Sequence, residues 1–218
     1  MFPRFYALIV CAFACAAVAS AQQPPSSPCE FSGFDVSARL AEVAKPTTAY
    51  YACGAGKKCL TMQLRPSDTV VISRSEGEWT CGYATTSRGA AQGWVRSQDI
   101  RAVTADPNPP LTAWLGDWVQ GENRIAIKRS RDPAQLSLDG QAYWRGSRDN
   151  VHDGSIAGEA APQGNRLHYA EASPDSCTVD FALIGNYLLA SDNNKCGGMN
   201  VRFWGVWQRS AAPRRTAK

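Results

Sequence analysis

The side chains here that could carry chemistry are cysteine, histidine and carboxylate, and their numbers narrow what that chemistry can be. The chain has eight cysteines and two histidines. Cys11 and Cys15 lie in an apolar N-terminal run, and Cys29, Cys53, Cys59, Cys81, Cys177 and Cys196 follow it. No two are spaced as C-x-x-C and the histidines are not paired, so no zinc centre is expected. A Ser-His-Asp or Cys-His centre would have to use His152 or His168. His152 sits in a loop-like run at 149–154, and His168 alternates with Leu167 and Tyr169 as in a strand. Asp149, Asp153 and Glu159 could supply a carboxylate pair, but nothing in the spacing fixes their separation. There is no glycine-rich phosphate loop and no dinucleotide fingerprint. If Asp192 opened a calcium loop of the helix-loop-helix kind, its twelfth position would need an acid and holds Phe203. Asp192 to Gly198 therefore reads as a hairpin turn. These residues predict a protein that is not an enzyme and holds neither metal nor cofactor.

The cysteines instead point to a compartment. Residues 1–21 carry one positive charge, Arg4, then an apolar run over 5–18, and close on Ala19-Ser20-Ala21. That order is the grammar of a cleaved secretory signal, and the run is too short to span a bilayer. Ala12-Phe13-Ala14 before Cys15 is a poor lipoprotein signal, so a soluble exported product, periplasmic or extracellular, is expected. Six cysteines then remain, an even set read as three disulfides. Cys177 opens a strand and Cys196 follows the next turn, so these two should tie neighbouring strands. Cys53 and Cys59 flank a glycine-rich loop, which leaves Cys29 to Cys81. The formal charge is +4, from 23 Lys and Arg against 19 Asp and Glu. Losing Arg4 with the leader makes it +3, too little and too scattered for nucleic acid.

The elements that would position these groups are short strands. Residues 22–28 form a Pro/Ser/Gln leader, expected to be disordered, and 211–218 a disordered basic tail. A stiff Pro-rich linker at 105–110 divides the rest into a first unit at 29–104 and a second at 111–210. In the first unit, apolar runs at 48–52, 60–64, 69–73, 79–84 and 93–96 are separated by turn residues, which suggests a five-stranded barrel. In the second, Ile125 and Ile127, and Val179, Phe181 and Leu183, alternate with mostly polar or small residues. This period of two, repeated with hairpin signals at Asp139-Gly140 and Gly185-Asn186, suggests about eight antiparallel strands closed on themselves. The fold class is all-β, two small barrels in series; a monomer with no membrane span is expected.

Particular motifs sharpen this. Pro66-Ser67-Asp68 leads into Thr69-Val70-Val71-Ile72, then come Glu78-Trp79-Thr80-Cys81, Gly93-Trp94-Val95 and Asp99-Ile100. In this the first unit resembles bacterial Src-homology-3-like domains, apart from its four cysteines. The resemblance implies binding of cell-wall peptide or another extended peptide in an aromatic-lined groove, with Tyr50, Tyr51, Trp79, Tyr83 and Trp94 as its lining. In the second unit, Gly116-Asp117-Trp118 with a late arginine, Arg202 or Arg209, resembles the lipocalin and avidin superfamily of barrels, where the guanidinium covers the indole at the closed end. Arg209 is the favoured partner of Trp118. The stretch from Cys196 to Val206 resembles the ends of uncharacterised exported bacterial domains.

The function expected is that of a non-enzymatic envelope protein whose first unit binds cell-wall peptide or an envelope protein. One alternative is an inhibitor or immunity protein against a wall-degrading hydrolase, presenting 149–154 or 191–200. Another is a carrier of a lipophilic ligand. That would need an open barrel, and Trp118, Tyr143, Trp144, Phe181, Phe203, Trp204 and Trp207 are positioned to fill it.

Overall fold

Short alternating runs become two antiparallel sheets. The computed structural model describes residues 23–29, 38–50, 61–86, 89–173 and 175–210, with Tyr50 described by its backbone. The signal-like leader, Tyr51, Cys53, Cys59 and the basic tail lie outside the described residues.

The first sheet holds β1 (Arg39–Val43), β2 (Thr47–Tyr50), β3 (Thr61–Leu64), β4 (Thr69–Glu76), β5 (Trp79–Thr86), β6 (Gly89–Arg96) and β7 (Ile100–Val103). Their order is β3-β2-β6-β5-β4-β1-β7. All five expected runs form strands. The two that join them, β1 and β7, are short and interrupted by Arg39, Glu42 and Arg101, so their alternation is weak in the sequence. Val70, Ile72, Ala41, Val43, Ala84 and Val95 pack together on one face.

The second sheet follows a short helix, α1 (Leu111–Trp114). It comprises β8 (Gly116–Gln120), β9 (Asn123–Arg129), β10 (Leu136–Arg145), β11 (Val151–Ala160), β12 (Arg166–Ala170), β13 (Thr178–Ile184), β14 (Tyr187–Asp192) and β15 (Gly205–Arg209). The order is β11-β10-β9-β8-β15-β14-β13-β12, a nearly closed eight-stranded barrel. Its seam lies between β11 and β12. There the Tyr169 hydroxyl accepts from the Ala157 N–H at 3.2 Å and donates to the Ala157 carbonyl at 3.3 Å. Side chains fill the interior: Trp118, Phe181, Phe203 and Trp207 are each no more than 1% exposed. Tyr143 and Trp204 do not fill it. Both stand on the outside at 37% exposure, and Trp144 is only partly buried against the core.

Two disulfides join described cysteines, Cys29–Cys81 and Cys177–Cys196, an arrangement compatible with an oxidising, exported location. The second anchors the segment between β14 and β15, which crosses to β11. The Gly198 N–H donates to the Asp153 carbonyl at 3.0 Å. Glycine is required at 154 because a Cβ there would run into the Cys196 carbonyl.

The units are not merely spaced by a stiff linker. Ala182, Ile184, Tyr187, Leu189 and Val206 point out of the barrel, yet all are buried, against Leu40, Val71, Trp79 and Trp94 of the first sheet. The Tyr187 hydroxyl donates to the Thr69 carbonyl at 3.0 Å. Its ring meets Tyr83 edge-on at 6.2 Å, and the Gln208 amide donates to the Tyr83 hydroxyl.

Of the leader at 22–28, expected to be disordered, Ser27 and Pro28 are bonded to the first sheet. The Trp94 indole N–H donates to the Ser27 carbonyl at 2.9 Å, Arg74 to the Pro28 carbonyl at 2.6 Å, and Ser27 to Glu76 at 2.8 Å. The Cys29–Cys81 bond fixes the end of this strap. Polar, Pro-rich composition argues for disorder only where nothing tethers the chain, and here a cross-link does.

Candidate functional site

Of the aromatic groove expected on the first unit, Trp79 and Trp94 do not lie on an open surface. Trp94 is 0% and Trp79 4% exposed. The strap covers Trp94, whose ring also lies under the Arg74 guanidinium at 5.0 Å. Arg96 lies over Trp79 at 4.8 Å. Tyr83 packs toward the second unit. These rings hold the sheet to its neighbours, because a small sheet has few other large apolar groups with which to do so. Tyr50 pairs through its backbone with Trp94.

Of the two late arginines, Arg209 is the one beside Trp118. Its guanidinium lies 4.3 Å over Trp118 and donates to the Ala113 carbonyl at 2.7 Å and to the Leu115 carbonyl. Gly116 has φ +133°, and a Cβ there would lie 2.8 Å from Arg209 Nη1. The glycine of G-x-W thus makes room for the arginine. Arg202 is elsewhere, outside the barrel.

Three of the groups considered for catalysis, His152, His168 and Glu159, have structural partners. His152 Nδ1 lies 2.6 Å from the Met199 carbonyl, and its ring stands 5.2 Å from Trp144. His168 pairs with Asp180 at 2.7 Å on an open face. Glu159 accepts from Ser130 at 2.7 Å. Asp192 accepts from the Phe203 and Asn194 N–H groups and so shapes its own turn. Asp99 is the buried carboxylate of the first unit. Burial alone would raise its pKa, but the Thr47 hydroxyl at 2.7 Å and the Lys45 ammonium at 2.9 Å outweigh that and hold it below the ordinary carboxylate value. Among the described residues no three His, Cys, Asp or Glu side chains come together. Among the described residues no helix is long and apolar enough to cross a membrane.

What the structure offers a ligand lies where the units meet. One groove, of about 360 Å³, runs along β7 and β1 and is walled by Asn165, Arg166 and Ile184 of the barrel. β7 is an end strand of its sheet. The Ala44 N–H donates to the Asp99 carbonyl at 2.8 Å, so by strand alternation Arg101 and Val103 turn their main-chain groups to β1. Ala102 turns its own to the open edge. A second cleft, of about 560 Å³, also draws on both units and includes Tyr83, Gln120, Tyr143 and Trp204. Sequence reading missed both, because each draws residues from both units. No protein-family model, curated protein or solved structure matches the chain.

Proposed function

We propose that this chain is a non-enzymatic protein of the bacterial envelope that binds an extended peptide, of the cell wall or of an envelope protein, along β7 of a Src-homology-3-like first unit. The open edge of β7 beside a groove carries this reading. Main-chain groups of an end strand pair with an incoming strand, and side-chain pockets alongside give selectivity. The order of features supports the family resemblance: the turn at 66–68 leads into β4, Trp79 opens β5, Gly93-Trp94-Val95 lies on β6, and a 3-10 turn at Ser97–Asp99 leads into β7. The filled barrel interior gives the lipophilic-carrier reading no support.

Co-sedimentation of the chain from Gln22 with insoluble peptidoglycan tests the proposal. The expected result is pelleting that Ala102→Pro abolishes, since proline removes the outward N–H without touching a bond to β1. A melting curve for the variant separates lost binding from lost fold. Failure of the unaltered chain to pellet, with no captured envelope peptide, would overturn it.

One observation favours the inhibitor reading as a second. The segments expected to be loops facing a hydrolase, 149–154 and 191–200, come together through the His152–Met199 and Gly198–Asp153 contacts, although from Val151 on the first is the start of β11 and not a loop. They present Met199, 73% exposed, and Val151, 43% exposed. Inhibition of a lysozyme-like hydrolase that Met199→Lys relieves would support it; no inhibition would remove it.

A further inference from the structure

The second cleft has a lining that suits a different ligand, and the geometry points to an oligosaccharide site there, formed jointly by the two units. Two of the four large apolar side chains exposed among the described residues, Tyr143 and Trp204, stand at it. The other groups there are mostly amides, Gln92, Gln120, Asn123 and Asn200, with one cation, Arg202, and no carboxylate.

Local structure explains the gathering. Between Val201 and Trp204 the buried Val201 and Phe203 alternate with the more exposed Arg202 and Trp204. Alternate side chains share a side, so Arg202 and Trp204 face away from the core together, and Asn200, in a turn at φ +68°, joins them in the cleft lining. Gly205, at φ +123°, has no side chain where Gln120 comes up, and a Cβ there would collide with the Gln120 amide. Asn123 accepts from the Tyr143 N–H at 2.8 Å, which ties that amide to the ring beside it. Its NH2 end is a donor not consumed by this bond. Arg202 donates one N–H to the Val201 carbonyl at 2.7 Å and has four more.

A sugar ring has flat C–H faces and a rim of hydroxyls that each donate and accept. Exposed indole and phenol rings match the faces, and amides, which also donate and accept, match the rim. One arginine without acids beside it suits an acyl carbonyl or one sugar carboxylate. A nucleotide would need more positive charge for its phosphates, and a lipid a less polar lining. The volume falls within the roughly 300–1,000 Å³ of small-molecule sites.

The test is a microarray of neutral, N-acetylated and uronate oligosaccharides, with any hit titrated by tryptophan fluorescence on the chain from Gln22. Expected is saturable binding that Trp204→Ala weakens about tenfold or more, that Gln120→Ala weakens also, and that Arg131→Ser, exposed and outside the cleft, leaves unchanged. Arg202→Gln should act on uronate ligands above all. Ala102→Pro should leave glycan binding intact, so this site and the β7 site fail separately. No binding by the unaltered, folded chain, or binding indifferent to Trp204→Ala and Gln120→Ala, would overturn the proposal.

Discussion

At the scale of residues, the closures of the two units rest on charged groups held by geometry. Arg209 stacks on Trp118 and donates to two carbonyls that end α1 and precede β8. Lysine keeps the charge but not the planar fork. Arg209→Lys should therefore cost about 2 kcal/mol, in the range of hydrogen bonds to charged groups, read as a lower denaturation midpoint. Gly116→Ala should cost about 1–3 kcal/mol, for the backbone region it occupies. Part of that cost should vanish when Arg209 is alanine, because the guanidinium the new Cβ would strike is gone. A double-mutant cycle that came out additive would show that the two do not share this contact. Asp99 supplies a pH dependence. Its folded pKa lies below its unfolded value, so its contribution is full above the unfolded carboxylate range, about pH 3.9 for Asp, and is lost as pH falls through the folded pKa. Asp99→Asn should lower stability at pH 7 and flatten the acid limb of a stability–pH curve measured by urea unfolding.

At the scale of elements, the strap at 23–29 is the part least apparent from composition. Its prolines and serines look like a free leader, and only the tether to Cys81 and the Trp94 indole bond turn it into structure. Replacing Cys29 and Cys81 together by serine should cost about 2–4 kcal/mol, as for a bond spanning 52 residues. It should also uncover Trp94, seen as red-shifted emission and faster quenching by iodide. Unchanged emission would mean that the strap holds without its bond. The strands themselves were legible where alternation is strong. Leu136, Leu138 and Ala142 of β10 are buried between exposed neighbours, as period two requires. The outward face of β13 and β14 was not. Ala182-Leu183-Ile184 and Tyr187-Leu188-Leu189 are continuous apolar runs, the pattern of strands covered on both faces, and their second cover belongs to the other unit. The Cys177–Cys196 bond was legible because its cysteines flank one hairpin, β13 and β14. The clefts were not, because no local pattern records which distant strands will meet.

At the scale of the whole molecule, the junction decides whether either cleft exists. The first sheet has one face on its own core and the other on the strap and barrel, so its large aromatics, Trp79 and Trp94, are completed by a neighbour. A unit that relies on another for burial should not melt alone. Near-ultraviolet dichroism, which follows the packed aromatics, and amide dichroism, which follows the strands, should give coincident transitions for the chain from Gln22. Ala182→Asp places an unpaired charge in the junction while leaving the barrel interior, which Ala182 faces away from, untouched. That variant should split the melt into two, the first sheet going first, because it loses the cover over Val71 and Trp79 while the barrel retains its filled core. If the variant still melted in one step at a lower temperature, the coupling would run through the barrel itself rather than through the face it presents. If it melted as the unaltered chain does, the contacts at Tyr187 and Gln208 would be holding the units without the apolar face, and both clefts would have to be traced to those few polar bonds.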